Sequence, residues 1–214
     1  WYAEVITAQN AVGITGLHNM DGGRETLAAY DALEAAGLLT LRIRQHNWVD
    51  PSDDPDALDD ISARRDLTGR MWTANSLKFM LDGVIDTGTA WLEEPDTHGD
   101  GCDPMWPDIE HFRRTIKRFH DQGFYITTHA IGDRANRETL DIYEEAFRAH
   151  PGKTDLRWRI EHAQHLHPAD VPRPLDFAGA FRAVRAVPGL VALIIFATIN
   201  NFLGVVYMPL MDPY

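Results

Sequence analysis

Two histidines and a lysine stand where the chain could use them chemically. His129 follows the run Tyr125–Thr128 in "YITTHAIGDRAN", His162 closes "LRWRIEH", and Lys78 lies inside "SLKFMLDG". A histidine at the exit of a buried parallel strand must satisfy both ring nitrogens, because an unpaired polar group away from water costs free energy. A divalent metal is one solution: neutral imidazole ligates Zn²⁺ through one nitrogen while the other finds a partner close by. A hydrogen bond at a strand rim is the other solution, and spacing alone leaves both open. Glu161 precedes His162 and Asp133 follows His129, so carboxylates are near both rings in sequence.

These residues need elements to hold them. Residues 24–37 have helical spacing, with Leu27, Tyr30 and Leu33 on one side and Gly37 at the end. Residues 108–123 predict an amphipathic helix with Phe112, Ile116 and Phe119 together, and 133–150 a second helix with Asp133 as its N-cap. A capped polar helix is expected over 54–66. Strand patterns fall at 12–20, 39–49, 76–85 (breaking at Asp82-Gly83), 124–131 and 156–164. Strands alternating with helices imply parallel βαβ units. Three of the strands carry Lys78, His129 and His162 toward their C-terminal ends, the rim where barrel enzymes build their sites. No G-x-G-x-x-G or P-loop favours a doubly wound sheet.

Bulk properties narrow the function. The 214 residues are 44% hydrophobic, enough for one substantial core. A formal charge of −12 argues against a nucleic-acid partner, which needs a basic face. A single cysteine, Cys102, excludes an internal disulfide and suits a reducing, cytoplasmic compartment. The first residues show no signal-peptide pattern, and the chain opens without Met, as a fragment would.

"SLKFMLDGVIDTGTAWLEEP", "THAIGDRAN" and "RIEHAQHLHPADVP" together resemble the amidohydrolase superfamily, in the branch of YtcJ-type proteins and N-substituted formamide deformylases. The resemblance covers about residues 10–172. It implies an incomplete TIM (β/α)8 barrel of the metal-dependent hydrolase type, spanning strands two to six. It also implies hydrolysis of carbon–nitrogen bonds in a small-molecule amide or formamide, with one or two divalent metals, zinc foremost. Lys78 matches the fourth-strand lysine that is carboxylated in binuclear relatives, and His129 and His162 match ligands on the fifth and sixth strands. Asp82 would orient a ligand or touch substrate, as a catalytic partner of Lys78. His18 in "GLHNM" matches a position near substrate, and Asp133 and Glu161 are further candidates around the ligands.

This sequence departs from the family at two points. The first-strand His-x-His pair and the eighth-strand Asp are not found in their context. The only His-x-His, His165 and His167, reads as a loop after the sixth strand. His46, His98, His111, His120 and His150 read as loop or helix-surface residues and receive no role. The loop 86–108, with Trp91 and Trp106, reads as a mobile lid over the mouth.

After Pro172 the character changes. No charged residue occurs in 186–211, a length that would cross a bilayer as a helix, with Arg182 and Arg185 ahead of it. Residues 174–214 resemble a segment of a major facilitator transporter. The expected organisation is a partial barrel over 1–172 and a basic segment plus hydrophobic helix over 173–214, with membrane contact through 186–211. A membrane-anchored remnant without catalysis, or a fusion to a transporter piece, is the competing reading.

Overall fold

Strands and helices alternate along the chain as the sequence patterns imply, with shifted bounds: the strand expected over 76–85 starts at Trp72 and stops at Met80, and the first and last strands are offset or shorter than expected. The computed structural model describes residues 1–150, 157–171 and 173. The strands are β1 (Gly16–Gly22), β2 (Arg42–Trp48), β3 (Trp72–Met80), β4 (Tyr125–Ala130) and β5 (Arg159–His162). The helices are α1 (Tyr2–Ala11), α2 (Arg24–Ala35), α3 (Pro55–Ala63), α4 (Ile109–Asp121) and α5 (Asp133–Ala149). The strands form one sheet in sequential order β1-β2-β3-β4-β5, with all pairings parallel. Helices α2 to α5 serve the crossovers. Sequential order without a reversal is a half-barrel rather than a doubly wound sheet, as expected.

The helix boundaries follow local chemistry. Asp108 caps α4 by accepting from the His111 N–H at 3.0 Å, and Asp54 caps α3 by accepting from Ala57 at 2.9 Å. Replacing Asp108 with Ala should lower the urea midpoint at unchanged slope, because the first turn of α4 loses an acceptor. Gly123 ends α4 in the left-handed region, at φ 82°. Two expectations change here. The N-cap of α5 is Gly132, not Asp133, which instead opens the helix and accepts from the Glu93 N–H at 2.8 Å. Helix α1 was not anticipated, and its Ile6 is buried against Leu27, Tyr30 and Leu41.

Alternation along the strands separates two faces. Leu77 and Phe79 of β3 and Ile126 and Ala130 of β4 pack with Phe112, Ile116 and Phe119 of α4 and with Ile142 and Tyr143 of α5. Lys78, Thr127 and His129 therefore take the opposite, concave face. Strand β3 reaches this arrangement through a register shift. Arg44 pairs with Thr73, but His46 pairs with Ser76, so β3 carries an extra residue between these pairs. Upstream of it Trp72 and Ala74 are core residues, and downstream the core residues are Leu77 and Phe79. Uninterrupted alternation from Trp72 would have sent Lys78 into the helix layer, because a slip of one residue exchanges the faces.

The loop 86–108, expected as a mobile, partly apolar lid, is anchored at its C-terminal end. Trp106 is buried with its ring 5.9 Å from Phe79 and 5.1 Å from Phe112. The hydrophobic helix expected over 186–211, its transporter likeness and its membrane contact lie outside the described residues. Among the described residues no helix is long and apolar enough to cross a membrane.

Candidate active site

Lys78 on β3, His129 on β4 and His162 on β5 stand near the C-terminal ends of three neighbouring strands. The rings of His129 and His162 are 4.5 Å apart between centroids, edge to face. Backbone geometry brings them together. His162 pairs with Ala130, whose side chain faces the helices, so alternation alone would turn the His162 ring away from His129. His162 and Ala163 instead adopt left-handed φ values of 75° and 46°. Non-glycine residues hold such angles at a cost, and such strain gathers at functional sites.

His129 is 5% exposed, and its Nε2 lies 2.9 Å from the Gly83 carbonyl oxygen. A carbonyl only accepts, so Nε2 carries the hydrogen and Nδ1 keeps a lone pair. Burial lowers the His129 pKa, with the Gly83 bond and Asp82 opposing. The ring is therefore a neutral donor at neutral pH. Lys78 is 5% exposed, and burial lowers its ammonium as well, against the pull of Glu161 and with the help of Arg159. Glu161 stands beside His129 in the sheet register and forms an ion pair with Arg159 at 2.6 Å.

Of the two roles the sequence suggested for it, Asp82 is positioned for orienting a ligand rather than touching substrate. It is fully buried and accepts from the N–H groups of Trp91 (2.9 Å), Ile131 (3.0 Å) and Gly132 (2.8 Å). It has no surface with which to touch a substrate. Its link to the site is His129, whose Nε2 lies 3.6 Å from its Oδ1. Asp82 thus clamps the loop after β3 to the turn after β4. The clamp also needs a glycine at 132, where a Cβ would fall 2.0 Å from the Trp91 carbonyl oxygen. Asp133 bonds to the Glu93 and Arg134 N–H groups instead of joining the histidines.

His18 on β1 meets a residue to which the sequence reading gave no role. Its Nδ1 is 2.8 Å from His46 Nε2, and His46 Nδ1 is 3.3 Å from the Leu77 carbonyl oxygen. The carbonyl fixes the hydrogen on His46 Nδ1. His46 Nε2 is then an acceptor, His18 Nδ1 donates to it, and His18 Nε2 keeps its lone pair. His46 is buried on β2, not on a loop or helix surface. The alternation at 39–49 already placed His46 on a strand, but its partner His18 lies on the neighbouring strand.

Burial pushes His46 from 6.5 down to about 3. The depressed value gives a stability contribution that is complete above pH 6.5 and is lost as pH falls toward 3. The loss should approach about 1.4 kcal/mol per pH unit in that window. Urea unfolding at several pH values should show a steeper acid decline for the wild type than for His46→Gln. Equal slopes would contradict the assignment.

A cavity of about 960 Å³ lies among the loops that follow β3, β4 and β5, lined by Glu93, Asp96, Asp133, Arg137, His165 and His167 among others. Lys78, His129 and His162 do not line it, so size does not identify the chemical centre here. His165 and His167 occupy a loop, as expected, and face this groove rather than the paired rings.

The model of the amidohydrolase family matches residues 1–188. The chain belongs to the amidohydrolase family. That match passes the boundary expected at 172. Among curated relatives, "Putative amidohydrolase YtcJ" of Bacillus subtilis is 29% identical over 162 residues, which are 72% of this chain and 28% of the relative. "Protein LONG AFTER FAR-RED 3" of Arabidopsis thaliana is 34% identical over 103 residues, 45% of this chain and 17% of the relative. An uncharacterised metal-dependent hydrolase from Pyrococcus horikoshii superposes with a TM-score of 0.62 at 21% identity, over 78% of this chain and 32% of the other. A second, from Pyrococcus furiosus, gives 0.58 at 24% identity, over 78% and 34%. These likenesses establish the fold. The amidohydrolase chain spans about a third or less of the length of each of these proteins.

Proposed function

We propose that the chain carries part of the centre of a metal-dependent hydrolase that cleaves carbon–nitrogen bonds in small non-peptide amides or formamides. The observation that carries the reading is the meeting of His129 and His162 at adjacent strand ends, with buried Lys78 one strand away on the concave face. The donor set suits a divalent metal, zinc foremost. His129 offers Nδ1, because Gly83 holds the hydrogen on Nε2, and a carbonyl in that position is a usual partner of a ligating histidine. Both imidazoles are borderline donors that suit zinc. Lys78 fits as an anionic carbamate rather than as an ammonium, which would repel the cation. Burial already disfavours the ammonium form.

A metal held there would polarise the scissile carbonyl and lower the pKa of water. The protein's own residues do the rest. Gly83 and Asp82 orient His129, and His46 orients His18 so that its free Nε2 can accept a hydrogen bond. Glu161 and Arg159 put a paired charge beside the site. In this reading residues 1–172 form a partial barrel.

Anomalous diffraction at the zinc edge from crystals of the full chain soaked in zinc tests the proposal. A peak within bonding distance of His129 Nδ1 and the His162 ring is expected. A zinc-saturated chain with no peak there would overturn it. Amine release from a panel of N-substituted formamides and amides would then define the bond cleaved.

A further inference from the structure

Two helices end against each other at a site that the hydrolase reading does not use. Helix α4 closes with His120 and Asp121, and α5 is C-capped by His150. His120 Nε2 and His150 Nδ1 are 2.9 Å apart, and His150 Nε2 is 3.6 Å from Asp121 Oδ1. One ligand atom from each of the three residues can be chosen so that all lie within 4.8 Å of one another. Since α4 leads into β4 and α5 toward β5, this cluster sits at the end of the sheet opposite His129 and His162.

We propose that His120, His150 and Asp121 form a second divalent-metal site, selective for a borderline ion such as zinc, which staples the C-terminal ends of α4 and α5. Two imidazoles and a carboxylate are a zinc donor set, with water free to take a fourth position. Ligands about 2.0–2.1 Å from a tetrahedral ion stand roughly 3.3 Å apart, so His120 Nε2 and His150 Nδ1 would separate by a few tenths of an ångström, and the Asp121 carboxylate, which now lies against His150 Nε2, would turn toward the same ion. Asp121 Oδ2 is held by Lys117 Nζ at 2.7 Å, which leaves Oδ1 directed to His150. Both helices present the negative ends of their dipoles here, which favours a cation. Among the described residues Arg113, which lines the adjoining cavity, is engaged by Glu110, Glu138 and Glu145. The surroundings are partly dry. The Trp158 ring lies 4.9 Å from that of His120, and a cavity of about 70 Å³ lined by Ile116, Ile142, His120 and His150 adjoins the cluster. His120 is buried, while His150 and Asp121 reach solvent, giving an ion an entry path.

The test is a zinc titration of the metal-stripped full chain against a chromophoric chelator, for the wild type, His150→Ala, Asp121→Asn and His129→Asn. The wild type should bind one more equivalent than His150→Ala, and Asp121→Asn should weaken that step about 10-fold. His129→Asn should keep it. Identical titrations for the wild type and His150→Ala mean a hydrogen-bonded histidine pair only, and overturn the proposal. A failure of the proposed active site shows separately, as no difference between the wild type and His129→Asn. If His150→Ala does not fold, the ¹⁵N imidazole signals of the wild type decide. His120 and His150 must shift together as zinc is added, and stationary signals overturn the proposal.

Discussion

Replacing His129 with Asn should weaken zinc binding at the mouth of the half-barrel at least about 100-fold. The argument rests on one nitrogen. Gly83 accepts the Nε2 hydrogen at 2.9 Å, so the ring has a fixed tautomer and a fixed aim. Asn can keep a donor toward Gly83, but its shorter side chain has no second nitrogen at the Nδ1 position. Stability should change less than affinity, since the ring is held by one carbonyl and faces the concave side rather than the core. The measurement is a competitive zinc titration beside a urea unfolding curve. An unchanged mouth affinity would remove His129 from the ligand set. Loss of affinity only in proportion to loss of folded protein would make the residue structural.

Asp82→Ala should destabilise the fold by about 3–5 kcal/mol, the larger of the stability effects expected here. Three backbone N–H groups, from Trp91, Ile131 and Gly132, end on this carboxylate inside the protein. Alanine leaves all three without an acceptor, and each such loss costs about 1–3 kcal/mol, softened where water enters. Asp82→Asn keeps one acceptor oxygen and should fall between the two. Burial raises the Asp82 pKa while the three N–H groups and His129 pull it down, so the clamp depends on all of them together. Equilibrium unfolding of the full chain gives the answer. A cost below about 1 kcal/mol for alanine would mean that the loops after β3 and β4 are held by other contacts.

The local signals in the sequence were sufficient for most of the elements, though not for α1 or the start of β3. The spacing of Phe112, Ile116 and Phe119 needs only one helix to be meaningful, and the Asp108 cap acts within one turn. The same holds for the alternation that marked 39–49 as a strand and for the apolar runs that marked 76–85 and 124–131 as strands. The motifs around Lys78, His129 and His162 pointed to the family, and the sheet places these three at neighbouring strand ends as parallel βαβ units require.

Tertiary structure decided what depends on register and on segments distant in the chain. The shift between Thr73 and Ser76 set the face of Lys78, and nothing within β3 announces an extra residue. Asp82 read as a residue that orients a ligand or touches substrate, but its role as a clamp required N–H groups 49 and 50 residues away. His18 found His46 across 28 residues, and His120 found His150 across 30. The His162 ring turned to His129 through a left-handed backbone that its residue type does not favour. Periodicity and capping are energies of one turn or one strand, so the sequence by itself determines them. Register, the partner of a buried polar atom and the aim of a strained residue are energies of packing, and they exist only once the strands are side by side.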